Sequence, residues 1–346
     1  MRYSKGRGAL SNRDSRFMDT YSEFDRDAQL ATVATEITAE RAKSIISSNR
    51  SPDISFEQSI NPYRGCEHGC IYCYARPSHA YMDLSPGLDF ETRLFYKDNA
   101  VELLQDTISK PGYECKPIAL GSNTDPYQPI EKRYQLTRKL LQLLAEYRHP
   151  VTLITKGVLI ERDIELLADM ARNNLVSVMI SVTTLDDRLK RSLEPRAAAP
   201  AARLGVIKSL SAAGIPVGAL VSPVIPRIND QELEAILAAV KSAGARSANY
   251  MVLRLPLEVQ QLFDEWLQQH YPERAQHVMS LIRQIRGGKL NDPRFGSRMR
   301  GEGVFAQLLQ QRFHFACRKL GLSQHPALLD SSAFKLARRG QLNLFA

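Results

Sequence analysis

Asn61-Pro-Tyr-Arg-Gly-Cys-Glu-His-Gly-Cys-Ile-Tyr-Cys-Tyr74 puts three cysteines, Cys66, Cys70 and Cys73, into eight residues. Their C-x3-C-x2-C spacing offers three thiolates from one short loop, one fewer than a closed four-ligand site requires. Gly65 and Gly69 flank the cysteines and free the backbone to wrap closely, while Tyr72 and Tyr74 supply aromatic walls. A cubane iron–sulfur cluster held in this way keeps one iron without a protein ligand, open to a small molecule. The competing reading is a structural zinc ion with His68 as fourth ligand. Zinc sites usually draw ligand pairs from two separated knuckles, and no second knuckle is evident. A buried cysteine cluster without metal is the third reading.

Directly upstream, Ile54–Ile60 reads as a strand, and from there short β-branched runs alternate with amphipathic helices. Further strands are predicted at Pro117–Leu120, Val151–Thr155, Val176–Thr183, Pro216–Ser222 and Ala248–Leu253. Between them apolar residues recur at helical spacing: Val101, Leu104 and Ile108; Leu136, Leu140 and Leu144; Ile164, Leu167 and Ala171; Leu233, Leu237 and Val240. Lys97, Asp98 and Asn99 open the first helix, and Gly214 and Gly244 close two others. Such alternation predicts parallel strands joined by right-handed crossovers. Six repeats are too few for a closed eight-stranded barrel. The expected fold is therefore α/β, an open six-stranded parallel (β/α)6 partial barrel over residues 54–255 with a helical C-terminal extension. Ligands bind such sheets at the C-terminal strand ends, where the cysteine loop lies.

The flanks differ in character. Residues 1–53 form a polar arm in which only Gln29–Ile46 shows a helical pattern, and the arm is expected to wrap the following domain. Residues 256–332 are predicted to be helical at Val259–His270, Arg274–Arg286 and about Val304–Leu320, around a Gly- and Arg-rich loop. The Arg196-Ala-Ala-Ala-Pro-Ala-Ala202 run is expected to be a loop, and residues 333–346 a flexible tail. The 346 residues are 44% hydrophobic, ample for a large core. The net charge of +9 is concentrated: Arg283 to Arg339 holds 12 Lys/Arg against 3 Asp/Glu. Charge gathered in one segment fits a polyanionic partner, with Arg294, Arg298 and Arg300 as candidates for phosphate contacts, and equally an ordinary solvated basic surface. No apolar run reaches membrane-span length, and the Met1-Arg-Tyr-Ser-Lys5 start lacks the apolar stretch of a secretory signal. Five cysteines with three clustered do not make a disulfide framework, so a cytoplasmic location is expected.

The cysteine motif with Tyr72, placed after the first strand of a βα repeat, resembles the radical S-adenosylmethionine superfamily over about residues 54–255. Within it the chain is similar to the group around spore photoproduct lyase, the DNA repair photolyase-like proteins. The stretches carrying this are Asn61–Cys66, Gly121-Ser-Asn-Thr-Asp-Pro126, Ile154-Thr-Lys156, Ser181-Val-Thr-Thr184 and Leu193-Glu-Pro-Arg196. The resemblance implies a 4Fe–4S cluster on Cys66, Cys70 and Cys73, with S-adenosylmethionine on the open iron. It implies Tyr72 against the adenine, Ser122 and Asn123 at the methionine amino group, and Lys156, Ser181 and Arg196 at the carboxylate and ribose. It also implies an electron donor such as flavodoxin or ferredoxin. One departure stands out. The better-known spore photoproduct lyases use a cysteine near the end of the second strand to return hydrogen to the product radical. That segment is Gly-Ser-Asn-Thr-Asp here, Cys115 lies before the strand, and Cys317 is far along the chain. Tyr127 or another tyrosine is the candidate substitute donor.

Gln341-Leu-Asn-Leu-Phe345 resembles the short peptide by which bacterial DNA polymerases and repair proteins dock on the sliding clamp. Leu342, Leu344 and Phe345 suit an apolar pocket, and the Gln341 amide supplies directional hydrogen bonds. The leading expectation is thus a radical enzyme acting on damaged DNA. The alternatives are the same chemistry on a peptide or small molecule, and a zinc-stabilised nucleic-acid-binding module.

Overall fold

The computed structural model describes residues 6–17 and 34–335. Its strands are β1 (Glu36–Glu40), β2 (Ile46–Ser48), β3 (Gln58–Ile60), β4 (Tyr63–Arg64), β5 (Arg93–Lys97), β6 (Ile118–Leu120), β7 (Val151–Thr155), β8 (Val176–Ser181), β9 (Val217–Val224) and β10 (Ser247–Val252). The larger sheet runs β10-β9-β8-β7-β6-β3-β2. Every neighbouring pair from β3 to β10 is parallel, and β2 adds an antiparallel edge to β3. The sheet therefore has seven strands where six are expected. A smaller sheet, β1-β5-β4, pairs β1 parallel and β4 antiparallel to β5.

The parallel register follows from the β-branched and leucine pattern. Ile60, Leu120, Leu153, Val178 and Val217 are successive partners along one row, and all are buried. Leu104, Leu140, Leu144, Leu167, Ile207 and Leu237 from the crossover helices join them in one core. Truncating any of these to alanine costs about 2–5 kcal/mol. A second core joins Ile71, Tyr72, Leu189 and Leu193 to Leu255, Phe263 and Trp266 of the C-terminal region. The Trp266 indole also donates to the Ser192 carbonyl at 3.0 Å. The cysteine loop is thus packed against Leu189 and Leu193, residues just past β9 and β10 (Ile225 and Leu253), and the helix Val259–His270.

Three expectations are corrected. The helical pattern over Gln29–Ile46 gives way, where described, to β1 and β2, because Glu36–Glu40 finds a backbone partner in β5. The strand β5 itself has no counterpart among the predicted elements. The Ala-rich run is a loop through Ala199, as expected, but its last three residues open the helix Pro200–Ala212, with Pro200 in the first turn. Elsewhere the strands shift by a residue or two, apart from the first, which shortens from Ile54–Ile60 to Gln58–Ile60. The expected helices occur at Ala100–Ile108, Leu136–Glu146, Ile164–Arg172, Leu233–Ser242, Val259–His270, Pro272–Ile285 and Gly303–Leu320. Among the described residues no helix is long and apolar enough to cross a membrane.

Candidate functional site

The cysteine loop is fixed by backbone hydrogen bonds rather than by regular structure. The Cys66 N–H donates to the Phe90 carbonyl at 2.9 Å, that of Ile71 to the Leu193 carbonyl at 3.1 Å, and that of Arg196 to the His68 carbonyl at 3.2 Å. The Gln128 side chain clamps the entry, accepting from the Glu67 N–H and donating to the Gly65 carbonyl, each at 3.1 Å. Gly65 and Gly69 have φ of +73° and +66°, in the left-handed region. A Cβ at Gly65 would stand 2.5 Å from Leu94, and one at Gly69 would stand 2.7 Å from the Glu91 carboxylate.

Beneath this loop lies a wholly buried ion pair. Arg76 Nη2 meets Glu91 Oε1 at 2.5 Å, both side chains being 0% exposed. Arg76 also donates to the carbonyls of Cys70, Pro86 and Gly87. The Glu91 oxygens accept from the N–H groups of Gly8 and Ala9, at 2.9 and 2.8 Å. The arm is thereby stapled under the cysteines. Farther along, Ser11 donates to Glu265 at 2.7 Å and Arg16 pairs with Glu258 at 2.8 Å.

The three thiols are free and lie in one loop, Cys66 and Cys70 buried and Cys73 partly so. Burial raises all three pKa values, that of Cys70 to about 12. Such thiols give up their protons when metal takes their place. The zinc reading needs His68, but its imidazole faces Asp125 at 3.3 Å. Asp125 accepts in addition from Thr155 Oγ1 at 2.6 Å and the Lys156 N–H at 2.7 Å. Burial opposes the Asp125 charge, yet His68 and these donors hold its pKa down to about 2. With His68 turned to Asp125, the loop offers three thiols, one ligand fewer than a closed zinc site needs and the number that a cluster with one open iron takes.

The other predicted site residues gather at the C-terminal strand ends. Ser122 and Asn123 follow β6 and are held by Asn61, which donates to Ser122 Oγ at 3.3 Å and accepts from the Asn123 N–H at 3.0 Å. Tyr74, directly after Cys73, donates to the Ser122 carbonyl. Lys156 follows β7, and its ammonium lies near Cys70, Cys73 and Glu194, favouring the charged form of each. Ser181 ends β8 and is buried, its carbonyl accepting from Arg203 at 3.0 Å. Arg196 is directed at Glu67, at 3.1 Å. Tyr72 is buried, its hydroxyl donating to Glu194.

Glu194 is the feature missing from the sequence reading. Wholly buried, it pairs with Arg203 and accepts from Tyr72 and Thr183. Burial alone would raise its pKa, but Arg203, Lys156 and the hydroxyls hold it near 2. Both Glu194 and Asp125 fall inside quoted stretches, Leu193–Arg196 and Gly121–Pro126. The basic loop is more inward than its charge implies. Arg298 pairs with Asp53 at 2.6 Å, and Arg300 donates to the Tyr250 carbonyl and Asn249. Arg294 pairs with Asp292 and Glu302 but stays 62% exposed. Tyr127 is buried with its hydroxyl on Asp163 at 3.1 Å. Gln341, Leu342, Leu344 and Phe345 lie outside the described residues.

A family model described as the Radical SAM superfamily matches residues 60–240. The chain is 37% identical over 232 residues to an uncharacterized protein of Mycobacterium tuberculosis, covering 66% of this chain and 68% of that one. With an uncharacterized protein of Methanocaldococcus jannaschii it shares 29% identity over 238 residues, 69% of this chain and 85% of that one. Among solved structures, spore photoproduct lyase complexed with dinucleoside spore photoproduct aligns with a TM-score of 0.61 at 15% identity, covering 88% and 87% of the two chains. A mutant of that enzyme with bound AdoMet and dinucleoside spore photoproduct gives 0.59 at 16% identity, over 83% and 80%. At these identities the likeness is one of fold.

Proposed function

Because the chain belongs to the radical SAM superfamily, we propose that it is a 4Fe–4S, S-adenosylmethionine-dependent radical enzyme whose substrate is damaged DNA. The observation that carries this is the placement of three free thiols in one loop at the C-terminal ends of parallel strands. We read the six parallel strands as the wall of a partial barrel, with the loop at its mouth. When bound, the cluster and S-adenosylmethionine together supply one-electron carbon–sulfur cleavage and a 5′-deoxyadenosyl radical that removes hydrogen from a substrate.

The chain's own residues hold and shield that chemistry. Cys66, Cys70 and Cys73 ligate the cluster. Ser122 and Asn123 bind the amino group of the cofactor, Lys156 and Arg196 its carboxylate, and Ser181 the ribose, with Tyr72 walling the adenine. The Glu194–Arg203 pair fixes the Tyr72 hydroxyl and so the back of the loop. An electron donor of the flavodoxin or ferredoxin kind completes the reaction, and the C-terminal peptide docks the enzyme on a sliding clamp.

DNA as substrate is supported by the fold shared with spore photoproduct lyase and by the basic segment Arg283 to Arg339. The inward pairing of Arg298 and Arg300 favours a second reading, the same radical chemistry on a peptide or small molecule. Anaerobic incubation of the reduced, reconstituted enzyme with S-adenosylmethionine and irradiated or alkylated DNA separates them by nucleoside mass spectrometry. The DNA reading expects 5′-deoxyadenosine together with loss of one lesion. If 5′-deoxyadenosine forms and every lesion persists, the second reading replaces it. Absence of a cubane signal in oxygen-free protein sinks both.

A further inference from the structure

Four arginines, Arg254, Arg286, Arg298 and Arg300, gather at the C-terminal end of β10, and three of them are fully engaged. Arg286, 1% exposed, donates to the carbonyls of Val252, Leu253, Ser297 and Arg298. Arg298 grips both oxygens of Asp53, at 2.8 and 2.6 Å. Arg300 donates to the Tyr250 carbonyl and to Asn249, with its guanidinium 4.0 Å over the Tyr250 ring.

Arg254 differs. Among the described residues it has no hydrogen-bonded carboxylate or carbonyl. Its Nε is buried without a partner, and Nη1 reaches only the Met299 sulfur at 3.8 Å, a weak acceptor. The guanidinium lies 5.4 Å from the centroid of Tyr74, the residue after Cys73, whose hydroxyl is bound to the Ser122 carbonyl. Arg254 therefore stands at the mouth of the site, across Tyr74 from the predicted cofactor residues. Burial holds its pKa below the usual arginine value, and the Arg298 charge adds to that. A partly buried cation without a hydrogen-bonded anion carries a cost that the Tyr74 ring and the more distant Asp53 charge offset only in part. An incoming anion with paired oxygens would relieve it, and the planar fork of arginine matches phosphate.

We propose that Arg254 is the seat for a phosphate group of the substrate, oriented by the face of Tyr74. The proposal rests on the DNA reading only for the source of that phosphate, since a phosphorylated small molecule offers the same chemistry.

The test uses the reconstituted full-length enzyme under anaerobic conditions. Binding of a fluorescein-labelled oligothymidylate is followed by anisotropy across a salt series, and glycerol phosphate is titrated by calorimetry. For Arg254→Gln the affinity for the oligonucleotide should fall roughly tenfold. The slope of log K against log salt should become shallower by about 0.7, one single-strand phosphate contact. Arg254→Lys, which keeps the charge, should recover part of both. The melting temperature of Arg254→Gln should not fall, since the variant removes an unpaired cation. If wild type binds glycerol phosphate in an Arg254-dependent way but no oligonucleotide, the seat stands and the DNA reading falls. The seat is overturned if wild type binds neither probe, or if Arg254→Gln binds both as wild type does. It is equally overturned if the variant loses S-adenosylmethionine affinity instead, which assigns the guanidinium to the cofactor.

Discussion

Replacing Glu91 by glutamine asks whether the cysteine loop is held by charge or by shape. Glutamine keeps the volume and one acceptor oxygen, but Arg76 then becomes a buried cation without a counter-charge. Both Glu91 oxygens accept backbone N–H groups, from Gly8 and Ala9, so the new amide nitrogen must face a donor. Removing one member of a buried pair costs about 3–5 kcal/mol. With an unfolding entropy of about 2.1 cal/mol/K per residue over 346 residues, that is a fall of about 4–7 °C in melting temperature. The assay is thermal unfolding of the cluster-free protein by circular dichroism, alongside iron per chain after anaerobic reconstitution. Both should fall, because Arg76 also holds the Cys70 carbonyl at 2.9 Å. A variant that melts within about 1 °C of wild type and takes up a full complement of iron would refute the argument. The loop would then be held by its backbone hydrogen bonds, the Gln128 clamp and its packing, without need of the buried charge pair.

Other expectations are narrower. Gly69→Ala forces a side chain into a left-handed turn and against Glu91, and should lower stability in urea by at least about 1–2 kcal/mol. Cys66→Ser, Cys70→Ser and Cys73→Ser should each abolish visible iron–sulfur absorption, whereas Cys115→Ser and Cys317→Ser should keep it. Glu194 gives a pH signature: its folded pKa, near 2, lies below the ordinary 4.5. The unfolded chain then takes up the proton first, so this stability is complete above 4.5 and is lost as pH falls toward 2. Urea titrations across that window should show a shallower pH slope for Glu194→Gln, and an unchanged slope would mean that Glu194 is not held charged.

The parts of the fold that bury β-branched rows were legible, since Val151–Thr155 and Val176–Ser181 announce themselves by composition. The small sheet was not. The Glu-Ile-Thr-Ala-Glu of β1 is largely exposed and carries charge at both ends, so only its backbone pairing with β5 makes it a strand. A local pattern cannot report a partner more than fifty residues away. The Pro200 helix start did carry a signal, proline in a first turn, which the surrounding alanines obscured. At the site the cysteines were readable because their chemistry lies in spacing. Glu91, Asp125 and Glu194 were not, because a buried carboxylate and a solvated one are the same letter until the arginine or histidine facing it is known.

The staple beneath the loop also sets an order of events during synthesis. Gly8 and Ala9 latch onto Glu91, while Ser11 reaches Glu265, 254 positions later. A nascent polypeptide cannot close that second contact until the helix Val259–His270 has left the ribosome. The amino end is therefore latched in two stages, at Glu91 early and at Glu265 only when the chain is nearly finished. A bulky fusion partner placed ahead of residue 6 should thus hinder both contacts more than one placed after residue 346.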